Sequence, residues 1–120
     1  MVIDALVPLP LYADKEHKRG YNQAAIICNG ISAVMNVPVL NGTVIRQQAT
    51  ETQTRKHRTE RWENVKQSFK VAKGHELAGK HLLLVDDVVT TGATLEACGH
   101  VILGIERVKL SIATLAYAAK

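Results

Sequence analysis

The sequence predicts an α/β domain with a parallel sheet, and three features carry that reading. Strand-like and helix-like apolar patterns alternate along the chain in the order strand, loop, helix, strand, repeated. Leu82, Leu83, Leu84 and Val85 form an unbroken apolar run, as in a strand covered on both faces. The stretch that follows, DDVVTTGAT at 86–94, passes from two acids through threonines and a glycine into a helical pattern. Ligands of parallel sheets sit beyond the carboxyl ends of the strands, where such a stretch would lie.

The bulk numbers set the frame. With 120 residues and 47% apolar content, residues 1–120 make one domain with one modest core. Aromatic residues are only 4%, so that core must be built from Val, Ile, Leu and Ala. No apolar run reaches the roughly 18 residues that read as membrane-spanning. MVIDALVPLP lacks the charged start and long apolar stretch of a secretion signal. Cys28 and Cys98 lie far apart, with no CxxC or zinc spacing. They read as buried core thiols, in keeping with a reducing, cytoplasmic setting. His17, His57, His75, His81 and His100 share no metal-ligand spacing either.

Net charge is +4, and its placement says more. Residues 46–66 hold six cations (Arg46, Arg55, Lys56, Arg58, Arg61, Lys66) against three Glu. Residues 81–106 hold no Lys or Arg and four acids (Asp86, Asp87, Glu96, Glu106). One segment suits an anion and the other carries an acidic pair.

Residues 2–7 are apolar and β-branched enough for a strand, which Pro8 and Pro10 end. ADKEHKRG at 13–20 is a polar loop closing on Gly20. From Tyr21 the period turns helical: Ala24, Ile27, Ile31 and Val34 form a stripe, with Ala25, Cys28 and Met35 beside it. Asn36 and Pro38 stop that helix. Residues 39–40 are a short extended piece, Asn41-Gly42 a turn, and 43–47 a further strand. QATETQTRKHRT at 48–59 has no apolar residue but Ala49, so it reads as a long exposed loop, and such loops are usually functional or disordered. A short helical stretch is expected at about 60–67, with Trp62 as an apolar anchor for the loop's base. After the strand at 82–85, residues 92–103 are helical with Leu95, Cys98 and Ile102 on one side. Val108, Leu110 and Ile112 alternate with small or polar residues in a last strand.

Two phosphate-binding signatures overlap in this region. GHELAGK at 74–80 matches most of a Walker A loop. A Walker loop follows a strand, opens a helix and has Ser or Thr after its Lys, whereas Lys80 is followed by His81 and a strand. Its glycines read as the turn into that strand. The second signature has the right context. Amide N–H groups at a helix start bind phosphate, Thr90, Thr91 and Thr94 add hydroxyl donors, and Gly92 admits a close approach of the backbone. Asp86 and Asp87 can accept hydrogen bonds from vicinal hydroxyls. Acids beside a phosphate cradle suit a ligand that offers donors as well as charge, and a ribose 5-phosphate does so. Response regulators also carry a strand ending in VDD, but there further functional residues, an Asp among them, follow on later strands. No Asp follows Asp87 here.

LLLVDDVVTTGAT resembles the phosphoribosyl pyrophosphate (PRPP) signature of the type I phosphoribosyltransferases. Three further stretches are similar to the competence protein F (ComF) family, amidophosphoribosyltransferase-like proteins associated with DNA uptake: VPLPL at 7–11, KRGYNQA at 18–24 and QTRKHRTERWENV at 53–65. The resemblance implies a three-layer, mostly parallel α/β sheet, the type I phosphoribosyltransferase fold. It implies that Asp86 and Asp87 bind the ribose 2′ and 3′ hydroxyls, and that Thr90, Thr91, Gly92, Ala93 and Thr94 hold the 5′-phosphate. The loop 11–20 would face the pyrophosphate through Lys18 and Arg19, with Gly20. Asp86, Asp87, Lys18 and Arg19 would thus carry the reaction. The loop 47–60 would be a lid bringing Gln53, Arg55 and Arg58. Mg²⁺ would reach the site on PRPP, with Asp86 and Asp87 contacting it through water.

The implied reaction is displacement of pyrophosphate at ribose C1 by a nitrogen nucleophile of unidentified structure. A second implied role is a non-catalytic PRPP sensor or a module bound to single-stranded DNA. A homodimer is compatible with either role, and a membrane partner is not. Longer family members carry a four-cysteine zinc-binding segment ahead of this domain, and 1–120 is expected to lack it. Arg55-Lys56-His57 stand where many members have smaller or apolar residues.

Overall fold

The structure, a computed structural model, describes residues 2–11, 21–47, 68–89 and 92–117. In chain order its elements are β1 (Ala5–Pro8), α1 (Gln23–Met35), β2 (Val44–Arg46), β3 (Phe69–Val71), β4 (His81–Val89), α2 (Ala93–Ile102) and β5 (Lys109–Tyr117), with a short 3-10 turn at Gly74–Leu77.

The main sheet has β4 at its centre, in the order β1-β4-β5. Both pairings are parallel, from Ala5 opposite Leu82 to Pro8 opposite Val85, and from His81 opposite Lys109 to Val89 opposite Tyr117. Residues 38–40 extend the sheet beyond β1. Leu6 N–H donates to the Pro38 carbonyl (2.9 Å) and Leu40 N–H to the Leu6 carbonyl (2.8 Å). β1 starts later than expected, at Ala5, because its ladder with β4 begins there, and Val2 is exposed. Pro8 closes the strand from inside it. Alternation points its missing N–H to the same side as the Leu6 amide, away from β4, so the β4 ladder loses nothing. The next donor toward β4, Leu9 N–H, reaches the Val85 carbonyl at 2.8 Å.

Each face of β4 meets its own core. Leu83 and Val85 face α1, with Leu6, Ile27, Cys28 and Ile31. Leu82 and Leu84, both fully buried, face Leu95, Cys98 and Ile102 of α2 and Val44 and Phe69 of the β2–β3 hairpin. Complete burial of one such leucine is worth about 1.5–3 kcal/mol. Three layers result, as the resemblance implied. Cys28 and Cys98 are free and buried on opposite sides of the sheet, and burial pushes their thiols up to about 11 and about 12.

Four expectations need correcting. Val34 and Met35 are exposed, so the α1 stripe ends at Ile31. The chain turns at Asn36, whose φ of 58° caps the helix, and Val37 and Val39 take the apolar positions that Val34 and Met35 would have filled. β2 is not part of the parallel sheet but pairs antiparallel with β3, a three-residue strand too short to show a period. β4 continues four residues past Val85, so Asp86 and Asp87 lie within the strand rather than beyond it. β5 alternates less than predicted, since it is an edge strand with Ile112, Leu115 and Tyr117 exposed. The reading of GHELAGK as a turn holds: Gly79 has φ of 74°, in the region that favours glycine, and its N–H donates to the Glu106 carbonyl at 2.9 Å. The stretches 48–59 and 60–67 lie outside the described residues. Among the described residues no helix is long and apolar enough to cross a membrane.

Asn22 ties the start of α1 to the end of β1. Its Oδ1 accepts from the Ala25 N–H (3.2 Å) as an N-cap, and its Nδ2 donates to the Leu9 carbonyl (3.1 Å). Asn22→Ala removes both bonds and should cost about 1–2 kcal/mol of unfolding free energy in urea titration.

Candidate active site

The sheet brings three features to the carboxyl end of β4. The first is the acid pair. Asp86 follows Val85, the last β4 residue paired with β1. Alternation along the strand puts Asp86 on the face of Leu82 and Leu84, under α2 and the hairpin, and Asp87 on the α1 face. Each carboxylate accepts the next backbone amide: Asp87 N–H donates to Asp86 Oδ1 and Val88 N–H to Asp87 Oδ1, both at 2.8 Å. A carboxylate has about four acceptor positions, so one such bond leaves capacity for ligand hydroxyls. Asp86 is half-buried. Burial pushes its carboxyl up to about 6, the amide of Asp87 opposes the shift, the neighbouring Asp87 carboxylate adds to it, and the Arg46 charge pulls it down.

The second feature is the start of α2. Its N-cap is Gly92, with φ of 81° and no side-chain cap. A Cβ at Gly92 would meet no heavy atom within 4 Å. The glycine is therefore required by its left-handed backbone, and the space above it is open. The start of α2 thus lies beside open space. Ala93 is exposed and Thr94 half-buried on this first turn. Thr90 and Thr91 lie outside the described residues.

The third feature is a cleft of about 240 Å³ where the chain leaves β1, lined by Pro8, Pro10, Leu11, Asn22, Asn41 and Arg46 among others. The loop 11–20 departs from its wall at Leu11. Lys18, Arg19 and Gly20 lie outside the described residues, as do Gln53, Arg55 and Arg58. The frame of the expected lid is described, however. β2 and β3 pair so that Gln47 N–H donates to the Ser68 carbonyl, and the segment between them leaves and returns at one place.

Arg46 received no role from the sequence beyond its part in the basic segment. It stands at the end of β2, with its guanidinium 5.2 Å from the Phe69 ring centre. The signal available in the sequence was position: it is the last residue of a strand before a long polar loop. A larger cavity, about 440 Å³ and lined by Val71, His75, Ala78 and Ile105 among others, lies at the opposite end of β4, away from the acids. Among the described residues no three His, Cys, Asp or Glu side chains come together in a way that could hold a metal ion.

Residues 18–120 match the family model of the phosphoribosyl transferase domain. The chain belongs to that family. Within this phosphoribosyl transferase family it is homologous to Competence protein F of Haemophilus influenzae, with 36% identity over 110 residues, covering 89% of this chain and 48% of that protein. The DNA utilization protein YhgH of Escherichia coli is 32% identical over 100 residues, 83% of this chain and 43% of its own. Competence protein ComFC of Bacillus subtilis is 31% identical over 98 residues, 82% of this chain and 38% of its own. The chain thus spans less than half the length of these relatives. Among solved structures, the adenine phosphoribosyltransferase of Saccharomyces cerevisiae superposes with a TM-score of 0.60 at 16% identity, over 98% of this chain and 57% of that one. Another adenine phosphoribosyltransferase gives a TM-score of 0.63 at 16% identity, over 98% of this chain and 59% of that one. The fold is that of the phosphoribosyltransferases.

The raised carboxyl of Asp86 makes this phosphoribosyl transferase domain pay a stability cost at its site. Below about pH 4 the folded and unfolded states both hold the proton, and there is no cost. Between about pH 4 and the folded value of about 6 the unfolded chain ionises first, so stability falls as pH rises. Above that value the full cost is present. Asp86→Asn should therefore stabilise the protein at pH 7.5 by about 1 kcal/mol, the water-screened fraction of the full shift. Thermal unfolding of both forms should show that gain shrinking to nothing near pH 4.

Proposed function

We propose that this domain binds PRPP and transfers its ribose 5-phosphate to a nitrogen nucleophile, releasing pyrophosphate. The observation that carries this reading is the acid pair at the end of the central strand, immediately ahead of a glycine-capped helix start with open space above it. Few ligands suit both halves. One needs hydroxyl donors for the acids and an anion for the helix start, and a ribose phosphate offers both.

In this reading Asp86 and Asp87 accept hydrogen bonds from the 2′ and 3′ hydroxyls. The α2 amides after Gly92, with Thr94 and with Thr90 and Thr91, bind the 5′-phosphate. Lys18, Arg19 and Gly20 meet the pyrophosphate from the loop beyond Leu11, and Gln53, Arg55 and Arg58 meet it from the segment between β2 and β3. The C1–O bond breaks with its electron pair leaving on pyrophosphate, and the C1–N bond forms from the nucleophile's lone pair. The nucleophile then loses a proton to solvent. Cations around the leaving group stabilise the charge growing there, and a covered site keeps water from C1. Bound Mg²⁺ supplies neutralisation of the pyrophosphate charge. Asp86 and Asp87 keep acceptor positions free for ion-bound water, so the described residues would suit an ion carried mainly by the diphosphate.

The relatives named for DNA utilization favour a second reading, in which the basic segment 46–66 binds single-stranded DNA and the ribose site serves sensing or nothing. Titration calorimetry with PRPP and Mg²⁺ tests the first. Saturable binding is expected of the wild type and not of Asp86→Asn/Asp87→Asn. A folded wild type that binds no PRPP overturns the reading.

Arg55→Ala/Arg58→Ala separates the two roles. Under the enzyme reading it cuts pyrophosphate release from PRPP, with ammonia as the simplest nitrogen acceptor, by at least about tenfold. Under the second reading it leaves PRPP binding intact and lowers the salt slope of DNA binding by about one per lost phosphate contact.

A further inference from the structure

β5 leaves one edge of the main sheet open. It pairs with β4 on one side, and no strand among the described residues pairs on its far side. Lys109 N–H donates to the Lys80 carbonyl at 2.9 Å, so Lys109, Ser111, Ala113, Leu115 and Tyr117 turn their backbone groups toward β4. Leu110, Ile112, Thr114 and Ala116 turn theirs outward. Sheet proteins blunt such an edge with charge, proline, a bulge or a very short strand. β5 has nine residues, and from Leu110 to Tyr117 it carries neither a charge nor a proline. Its outer half is apolar on both faces: Ile112, opposite Leu84 on the α2 face, is exposed, and so are Leu115 and Tyr117 on the α1 face.

We propose that this edge is an interface between two copies of the chain, paired antiparallel through β5 about a two-fold axis at Ala113. The strand is complementary to itself in that register. The axis sets Leu110 opposite Ala116 and Ile112 opposite Thr114, so the four outward-facing residues meet one another and each outward N–H and C=O finds a partner. On the α2 face, Ile112 against Thr114 is a β-branched pair suited to a sheet. On the α1 face, large side chains meet small or flexible ones: Leu115 comes opposite Ser111, and Tyr117 opposite the stem of Lys109. Ser111 asks nothing of the second copy, since its Oγ lies 2.7 Å from His81 Nε2. Lys109, the one charge on the strand, stands at its end, so its two copies are as far apart as the ladder allows. The pairing joins two sheets into one. Because the strands run in opposite directions, the two acid pairs open at opposite ends and neither site is blocked. The proposal is independent of what those sites bind.

Two measurements on the full chain test it. The first is sedimentation equilibrium. A ladder about 30 Å long buries less than a standard interface, so the wild type should pass from monomer to dimer over roughly 1–200 μM. Ile112→Lys/Leu115→Lys should stay monomeric throughout, because a charged edge resists pairing. The second is disulfide trapping under mild oxidation, which reads the register. Cys28 and Cys98 are buried, so an added cysteine is the reactive one. Ala113→Cys should cross-link into a dimer, since opposite residues in a non-hydrogen-bonded pair have Cα atoms about 4.5 Å apart, within disulfide reach. Ala116→Cys should not, because its two copies would lie about 20 Å apart. If Ala113→Cys does not fold, an equal mixture of Ser111→Cys and Leu115→Cys, the next opposite pair, replaces it. A wild type that stays monomeric overturns the proposal and leaves the edge to a strand of another protein. A dimer that survives in Ile112→Lys/Leu115→Lys, or one that the cysteines at the axis fail to trap, overturns it too.

Discussion

The structure depends on one strand hydrogen-bonded along both edges and covered on both faces. β4 pairs with β1 and β5, and its residues 82–85 lie between α1 on one side and α2 with the hairpin on the other. Such a strand admits no charge until a neighbour gives out. The neighbour that gives out is β1. Its ladder ends with Pro8 opposite Val85, and the chain then leaves the sheet through Leu9, Pro10 and Leu11. Asp86 is the next residue of β4. The end of β1 thus opens the cleft and leaves Asp86 past the β1 ladder in one step. β5 continues beside β4 as far as Tyr117 opposite Val89. The acids are therefore held on a strand rather than on a loop, and a site built on a regular element keeps its geometry better.

That rigidity carries an energetic consequence. A carboxylate set in a half-buried strand position gives up part of its hydration, and a second carboxylate at the next residue deepens the loss. A chain under selection for stability alone would place neutral side chains there. Here local conflict and candidate function coincide, as they do where binding chemistry overrides packing. The raised value of about 6 also puts the charge change of Asp86 under mild conditions, so the fold weakens as that carboxyl ionises.

The parts of the fold legible in the sequence are those with a long period or a strong stop signal. The apolar run at 82–85, the capping pair Asn36 and Pro38, and the face Leu95, Cys98 and Ile102 each express a constraint contained within a few residues. β3 was not legible, because three residues carry no period and its pairing with β2 is fixed across a long intervening segment. Val34 and Met35 failed for a related reason. The helical stripe continues through them, but the sheet face beneath is taken by Val37 and Val39, which reach it only after the chain reverses. The acids, Gly92 and Thr94 were singled out by motif, since phosphate and hydroxyl recognition fixes residue type as well as spacing, and the structure sets them on β4 and at the start of α2. Arg46 was invisible beside the site because Phe69, the ring it stacks on, comes from another strand far along the chain, and no local pattern records that meeting.

The same geometry weighs the two roles of the basic segment against each other. Whatever segment 48–67 does, its ends are fixed together at Gln47 and Ser68 on a hairpin seated over the Asp86 face. Closing a loop of that length on a preformed hairpin costs little more than closing a shorter one. A DNA strand brought to that place presents phosphates to two carboxylates, while its sugars lack the 2′ hydroxyl and carry the 3′ oxygen as an ester. Its sugar–phosphate backbone donates nothing to Asp86 or Asp87, and its charge is repelled by both. In the proposed reading PRPP would present two hydroxyls to the acids, a phosphate to the start of α2 and a pyrophosphate to the cations, so each charged feature would meet its complement. A DNA-binding role therefore requires the basic segment to act facing away from the acids, whereas the PRPP role uses the two together, and electrostatic complementarity at this end of β4 favours the sugar phosphate.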